Sequence, residues 1–237
     1  DFDSKIETHL YRVPLSGGWN QKVERITNGR GTHDVDMAPD HKSFVTHWSD
    51  AETPGCVYLR DLEDKELRAI AKSKPNLMTP FGMQFPEFLK VKTRDGFEME
   101  AMLIKPKGYD ASKRYPVVQF TYSGPHAPRV RDQWGRRDFL WHNLLAQQGY
   151  VVFCCDNRSA SGKGRTFAKA CWRKLGQSEL EDLSDGVDWL IEQGIADEDQ
   201  LGLRGWSYGG ILGGWTVTQT ERFKGASVGA MVADWTS

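Results

Sequence analysis

Leu203-Arg204-Gly205-Trp206-Ser207-Tyr208-Gly209-Gly210 is the stretch whose reading decides the fold. Its core, Gly205-x-Ser207-x-Gly209, is the pattern of a nucleophile elbow, in which a strand turns sharply into a helix and lifts a serine at the tip. The flanking positions must be small because strand and helix backbones pass close together there. Such a serine projects from the C-terminal edge of a sheet. The backbone N–H of the next residue, Tyr208, points into the same space and can stabilise an oxyanion. In a chain with 24 glycines the pattern alone carries little weight, so its flanks must supply the context.

Outward from the elbow, the second part of the chain alternates strand and helix. Residues 88–93 and 99–105 predict paired strands joined at Arg94-Asp95-Gly96, and 115–122 an apolar strand. Residues 138–148 have helical spacing through Phe139, Leu140, Asn143 and Leu144 and stop at Gly149. The continuous apolar run 150–155 marks a strand buried on both faces. Residues 178–193 predict a helix with Ser178 as cap, Glu181 completing a capping box, and Leu183, Val187, Leu190 and Ile191 on one face. A strand over 200–206, a helix over 208–219 and a strand over 226–232 complete the series. This alternation argues for an α/β sheet with right-handed crossovers. It also puts Ser207 at a strand-to-helix junction, where open α/β sheets bind ligands.

The first part reads differently. Short runs at 9–15, 22–26, 33–38, 43–48, 56–60 and 66–71 are separated by turn signals such as Ser16-Gly17-Gly18, Asn28-Gly29-Arg30-Gly31 and Thr53-Pro54-Gly55. Six short, evenly spaced strands suggest a sandwich or propeller blades. Asp36-Met37-Ala38-Pro39-Asp40-His41-Lys42-Ser43-Phe44-Val45 resembles a hairpin common in propeller blades. The expected organisation is therefore the end of a β-propeller over 1–72, about one and a half blades. A Pro- and Gly-rich linker follows over 73–86, and the N-terminal part of an α/β-hydrolase domain over 87–237.

The net charge of -1 gives no reason to expect nucleic acid or an anionic membrane surface as partner. No apolar run reaches the ~18–20 residues of a membrane span. Four cysteines are too few for a disulfide scaffold, and the adjacent Cys154 and Cys155 read as small buried hydrophobes. Most of the nine tryptophans are expected in the core. None of the six histidines shows metal-ligand spacing, and His33 and His41, flanking the propeller-like turn, are expected at the surface. Ser161-Gly162-Lys163-Gly164 lacks the frame of a phosphate loop. Asp156-Asn157-Arg158 and Asp234 read as scaffolding of the active-site rim.

A serine nucleophile needs a base and an orienting carboxylate, because its hydroxyl is weakly reactive at neutral pH. In α/β hydrolases both follow the serine in chain order. His126 precedes Ser207, on the loop Tyr122-Ser123-Gly124-Pro125-His126, and reads as a loop residue. No histidine follows Ser207. The expectation is a piece of a longer hydrolase, inactive by itself.

Four stretches together resemble the prolyl oligopeptidase family of serine peptidases, most closely its dipeptidyl peptidase IV branch. They are Tyr122-Ser123-Gly124-Pro125; Asp156-Asn157-Arg158-Ser159-Ala160-Ser161-Gly162; Leu175-Gly176 followed by Glu179 to Asp182; and Gly205 to Gly210. The resemblance implies Ser207 as nucleophile and the Tyr122 hydroxyl and Tyr208 N–H as oxyanion donors. It implies a small apolar pocket for proline lined by Tyr208, Val232 and Trp235. The sequence departs from the family at Ser159, where a glycine is usual, and at Ala230-Met231-Val232, which lacks the usual Ala-Pro.

The implied activity is hydrolysis of short peptides through an acyl-enzyme, dipeptidyl-peptidase-like and post-proline. An acylaminoacyl-peptidase or esterase-like hydrolase, or a non-catalytic binding subunit, are the alternatives. The implied partner is a peptide substrate, with no cofactor and no metal. A homodimer of the parent and a periplasmic or extracellular setting also come from the resemblance alone.

Overall fold

The computed structural model describes residues 4–16, 22–74 and 78–234. Gly17 and Gly18 of the first turn signal, Pro75 of the linker, and Trp235 lie outside them. The chain divides into two compact units, one of Asp1–Met83 with Arg131–Phe139, the other of Gln84–Val130 with Leu140–Ser237.

In the first unit β1 (Tyr11–Arg12) and β2 (Glu24–Arg25) form a short antiparallel pair. β3 (Thr32–Met37), β4 (Ser43–Ser49), β5 (Cys56–Asp61) and β6 (Glu66–Ala71) form a four-stranded antiparallel meander in chain order. The two shortest strands fall inside much longer predicted runs, because only two residue pairs of each stay in register. Phe44 and Thr46 of β4 are fully buried. Asp132 gathers this unit: it accepts from Arg30 Nε (2.9 Å) and Nη2 (3.2 Å) and from the Ala51 N–H (2.8 Å). Its own carbonyl accepts from the Thr32 hydroxyl. Contact with Asp132 holds the Arg30 guanidinium well above its usual pKa.

His33 is not at the surface as expected. Its side chain is buried, with Nδ1 3.1 Å from the Thr46 hydroxyl and its ring 5.3 Å from that of His9. Position 33 faces inward from β3, whereas His41 sits exposed at the hairpin tip.

The second unit holds a mixed six-stranded sheet. Its strands are β7 (Glu87–Lys92), β8 (Glu98–Ile104), β9 (Tyr115–Thr121), β10 (Val151–Cys155), β11 (Ala196–Trp206) and β12 (Gly225–Gly229). Their order across the sheet is β12-β11-β9-β10-β8-β7. β9, β10, β11 and β12 run parallel, and β8 and β7 add antiparallel. All five residues of β10 are buried, as its unbroken apolar run predicts. The helices are α1 (Arg136–Gln147), α2 (Arg165–Ala168), α3 (Gln177–Glu192) and α4 (Tyr208–Gln219). The core joins Val91, Met99, Leu103, Val117, Val151 and Phe153 of the strands to Leu183, Val187 and Leu190 of α3 and Leu212 of α4. All four cysteines are buried and none forms a disulfide.

Three sequence expectations need correction here. On α1 the buried residues are Phe139, His142, Asn143 and Ala146, while Leu140 and Leu144 face solvent. The Asn143 side chain is spent on the backbone of Gln84, accepting its N–H at 2.6 Å and donating to its carbonyl at 3.1 Å. Pairing of this kind satisfies the buried amide and makes the inner position of Asn143 tolerable. On α3, Gly176 rather than Ser178 is the N-cap residue, and Glu179 rather than Glu181 reaches back to its N–H. The tryptophans are not buried in the core: none of the seven described ones is buried, and of them Trp189 packs against the core, stacked on Phe153. The core is closed instead by aliphatic residues and Phe153, which fill it at lower volume.

Leu190 is fully buried, so Leu190→Ala is expected to cost ~2–5 kcal/mol of stability in urea denaturation. Burial pushes the His33 imidazole down from 6.5 to about 4, so the fold favours its neutral form. The unfolded chain then binds more protons between these values, and this contribution to stability is lost as pH falls from 6.5 towards 4. His33→Gln is expected to flatten that pH dependence of the urea midpoint, and an unchanged slope would count against the buried neutral histidine.

Candidate functional site

The site grows from the end of β11. Residues of this strand pair with β9 on one side (Gly205 with Thr121) and β12 on the other (Trp206 with Gly229). The chain then passes through Ser207 directly into α4. Ser207 has φ 57 and ψ -120, a left-handed conformation that a non-glycine residue holds at a cost of about 1–3 kcal/mol. It is kept there by backbone on both sides. Its N–H donates to the Gly229 carbonyl (2.9 Å), and its carbonyl accepts from the Ile211 N–H (3.0 Å).

Three glycines make the turn sterically feasible. A Cβ on Gly205 would overlap the Gly209 carbonyl, one on Gly209 the Thr121 carbonyl, and one on Gly210 the Gly229 carbonyl. The first turn of α4 thus lies directly on the backbones of β9, β11 and β12. Ser207 is exposed at the tip. Among the described residues, no side chain hydrogen-bonds its hydroxyl.

Two tyrosines lie close to this point, Tyr208 next in the chain and Tyr122 with its Cα 3.0 Å from where a Cβ on Gly209 would stand. Tyr208 is the first residue of α4, where backbone N–H groups lack intrahelical acceptors. Its phenol donates to Glu179 Oε1 at 2.7 Å. Burial, with the Glu179 carboxylate next in order, pushes that phenol well above its usual pKa. Tyr122 follows β9, and its ring centroid is 6.4 Å from that of Tyr208 at an interplanar angle of 46°. The Tyr122 hydroxyl has no hydrogen-bond partner among the described residues, and the Arg129 guanidinium lies 5.6 Å from its ring centroid.

The loop after Tyr122 is tightly held. Ser123 and His126 both have positive φ. The His126 N–H donates to the Ser159 carbonyl, and the buried Asp156 carboxylate accepts from the N–H groups of Arg129 (2.8 Å) and Val130 (3.0 Å). His126 itself is exposed.

Arg158 ties the neighbouring loop to α3 and to the β7–β8 turn. Its guanidinium pairs with Asp182 (Nε to Oδ1, 3.0 Å) and with Asp95 (Nη1 to Oδ2, 2.7 Å). Asp182 is fully buried, and desolvation pushes its carboxyl up against the opposing pull of Arg158.

The structure brings Ser207, Tyr208 and Tyr122 into one region. Val232 lies beyond the end of β12, which stops at Gly229 rather than continuing to 232 as predicted, and it is 45% exposed. Trp235 lies outside the described residues. The sequence reading gave the capping role to Glu181 and not Glu179, and the bond of Glu179 to Tyr208 had no signal in sequence spacing. A cleft of about 450 Å³ is lined by Lys92, Thr93, Arg94, Asp185, Asp188, Trp189 and Glu192, and none of Tyr122, Ser207 and Tyr208 borders it. Among the described residues, no group of three or more His, Cys, Asp or Glu could hold a metal ion. No helix among them is long and apolar enough to cross a membrane.

A parallel strand ending in an exposed left-handed serine, with glycines clearing the way into a helix, is the geometry of a nucleophile elbow on an α/β sheet. Residues 138–237, which contain it, match the prolyl oligopeptidase family. Dipeptidyl peptidase 8 of Mus musculus is 31% identical over 242 residues, covering 98% of this chain and 27% of that protein. Prolyl endopeptidase FAP of Mus musculus is 31% identical over 175 residues, covering 73% of this chain and 23% of that protein. The crystal structure of Porphyromonas gingivalis dipeptidyl peptidase 4 superposes with a TM-score of 0.87 at 28% identity, over 98% of this chain and 33% of that one. The chain therefore spans about a quarter of the length of these curated relatives.

Gly209→Ala is expected to destabilise by about 1–3 kcal/mol or more, because neither Thr121 nor α4 can withdraw without breaking the sheet edge. Gly225→Ala, whose Cβ would meet nothing within 4 Å, is the control and is expected to stay within ~0.5 kcal/mol. Thermal denaturation of the pair tests the cradle.

Proposed function

We propose that this chain carries the nucleophile and oxyanion site of a serine peptidase of the dipeptidyl-peptidase type. The observation that carries the reading is the left-handed, exposed Ser207 between β11 and α4, with its hydroxyl unengaged among the described residues. In this reading Ser207 Oγ attacks the carbonyl carbon of a peptide bond while its proton passes to a histidine base. The base, with its orienting carboxylate, reaches Ser207 from outside the described residues. The carbonyl oxygen becomes an oxyanion held by the Tyr208 N–H and the Tyr122 hydroxyl. Collapse of the tetrahedral intermediate expels the amine, which takes the proton from the base. Water then repeats the sequence on the acyl-serine to release the new carboxylate.

The paired rings of Tyr122 and Tyr208 support a compact, ring-shaped side chain next to the scissile bond, and we assign the site a post-proline preference with Val232 and Trp235 as further lining. The antiparallel meander β3–β6 has the strand number and order of a propeller blade. We read it as one blade of a propeller that restricts access to peptides.

The test is fluorophosphonate labelling of the protein in which this chain occurs, with Ser207→Ala as comparison. Labelling is expected to vanish in Ser207→Ala, and persistence at the original level overturns the assignment. Tyr122→Phe is expected to lower kcat by about 10²–10³-fold, the cost of one oxyanion donor. Turnover of acyl esters with negligible cleavage of X-Pro anilides would replace the peptidase reading by an esterase.

A further inference from the structure

Glu179 is a fully buried carboxylate near the start of α3, and its two oxygens are used differently. Oε2 accepts from the Gly176 N–H (3.1 Å) and the Ser178 hydroxyl (2.9 Å), which closes the helix end. Oε1 accepts only the Tyr208 phenol (2.7 Å) among the described residues, from 29 positions further along the chain. Capping α3 needs the first oxygen alone. A small amide or hydroxyl side chain could cap the helix without burying a charge, so capping does not account for the second oxygen.

The contact lies in a seam between the starts of two helices. At Gly176, with φ +88, a Cβ would meet the Trp215 ring of α4 at 2.8 Å, so α4 also touches the N-cap residue of α3 itself. Tyr208 is thereby fixed at both ends, its backbone by the glycine cradle and its hydroxyl by Glu179. A half-buried phenol with a carboxylate acceptor cannot swing towards Ser207 without leaving that carboxylate short of a donor, a costly state for a buried charge.

We propose that Glu179 is a positioning residue for the Ser207 site. It holds the Tyr208 ring as a fixed wall facing Tyr122 and keeps the Tyr208 hydroxyl out of the oxyanion position, leaving the amide N–H to serve there. This role rests on the serine peptidase reading. It predicts that Glu179 acts through the Tyr208 hydroxyl and not through general support of the fold.

The experiment is a double-mutant cycle in the protein that carries this chain, using Tyr208→Phe, Glu179→Gln and the double variant. X-Pro and X-Ala anilides serve as substrates, and the Ser207 fluorophosphonate label is read on the same samples. Each single variant is expected to raise KM for the X-Pro anilide about tenfold with a much smaller change in kcat, and to narrow the preference over X-Ala. The double variant is expected to be no worse than either single one, because Glu179→Gln removes the charge from the same bond that Tyr208→Phe deletes. Additive losses, or losses in kcat that track a lower melting temperature, overturn the positioning role. So does an unchanged KM in Tyr208→Phe, the variant that removes only the hydroxyl and tests the role if Glu179→Gln fails to fold. Absence of label on the unmodified protein overturns the serine reading and this role with it, whereas intact label with an uncoupled cycle overturns this role alone.

Discussion

Backbone-to-backbone contact at Gly205, Gly209 and Gly210 is the constraint on which the second unit's site depends. Each glycine has a carbonyl oxygen where a side chain would stand. With those side chains absent, α4 can begin one residue after β11 ends, and the residue between them has nowhere to go but outward. The position and conformation of Ser207 follow from this packing. Ordinary helix propensity would oppose it: four of the first seven residues of α4 are glycine, each costing up to about 1 kcal/mol relative to alanine. The helix is held by contact with the sheet and not by its own preference.

A second organising feature is the row of acids on the inner side of α3. Glu179, Asp182 and Asp185 are all buried, and each is committed to a different part of the unit. Glu179 takes the phenol of α4, Asp182 the guanidinium and N–H of Arg158, and Asp185 the N–H (2.9 Å) and Nε (2.6 Å) of Arg94. Buried carboxylates are tolerable only when satisfied in this way. Their spacing of three residues puts them on one face, so one helix registers the β7–β8 turn, the loop after β10 and the start of α4.

The elements carrying short-range signals were legible in the sequence. Helix 208–219 matches α4 end to end. The strand 66–71 matches β6, and the apolar run of β10 gave its burial as well as its position. Features set by partners far away in sequence were not legible. The inward turn of His33 depends on Thr46 and His9. The inward place of Asn143 on α1 is satisfied by Gln84. Within the site, Ser207 and its glycines were readable from local pattern, and Tyr122 only through family resemblance. The bond between Glu179 and Tyr208 joins two segments that no periodicity connects. The single-turn helix α2 (Arg165–Ala168) is too short to leave a period.

Ser207 occupies the N-cap position of α4, the place where a serine side chain ordinarily folds back to close the helix. Here it forms no such bond, and no acidic residue stands in the first turn. The left-handed backbone turns Oγ away from the amides it would otherwise satisfy, forgoing roughly 1 kcal/mol of helix stability. The consequence is electrostatic. The aligned peptide dipoles of α4 end in a partial positive charge of about half a unit that no acidic residue of its first turn compensates. Any negative charge that develops on an atom bonded to Ser207 Oγ forms at the open end of that dipole. The helix thus gives up part of its own stability so that the field at its tip is available to whatever the serine holds.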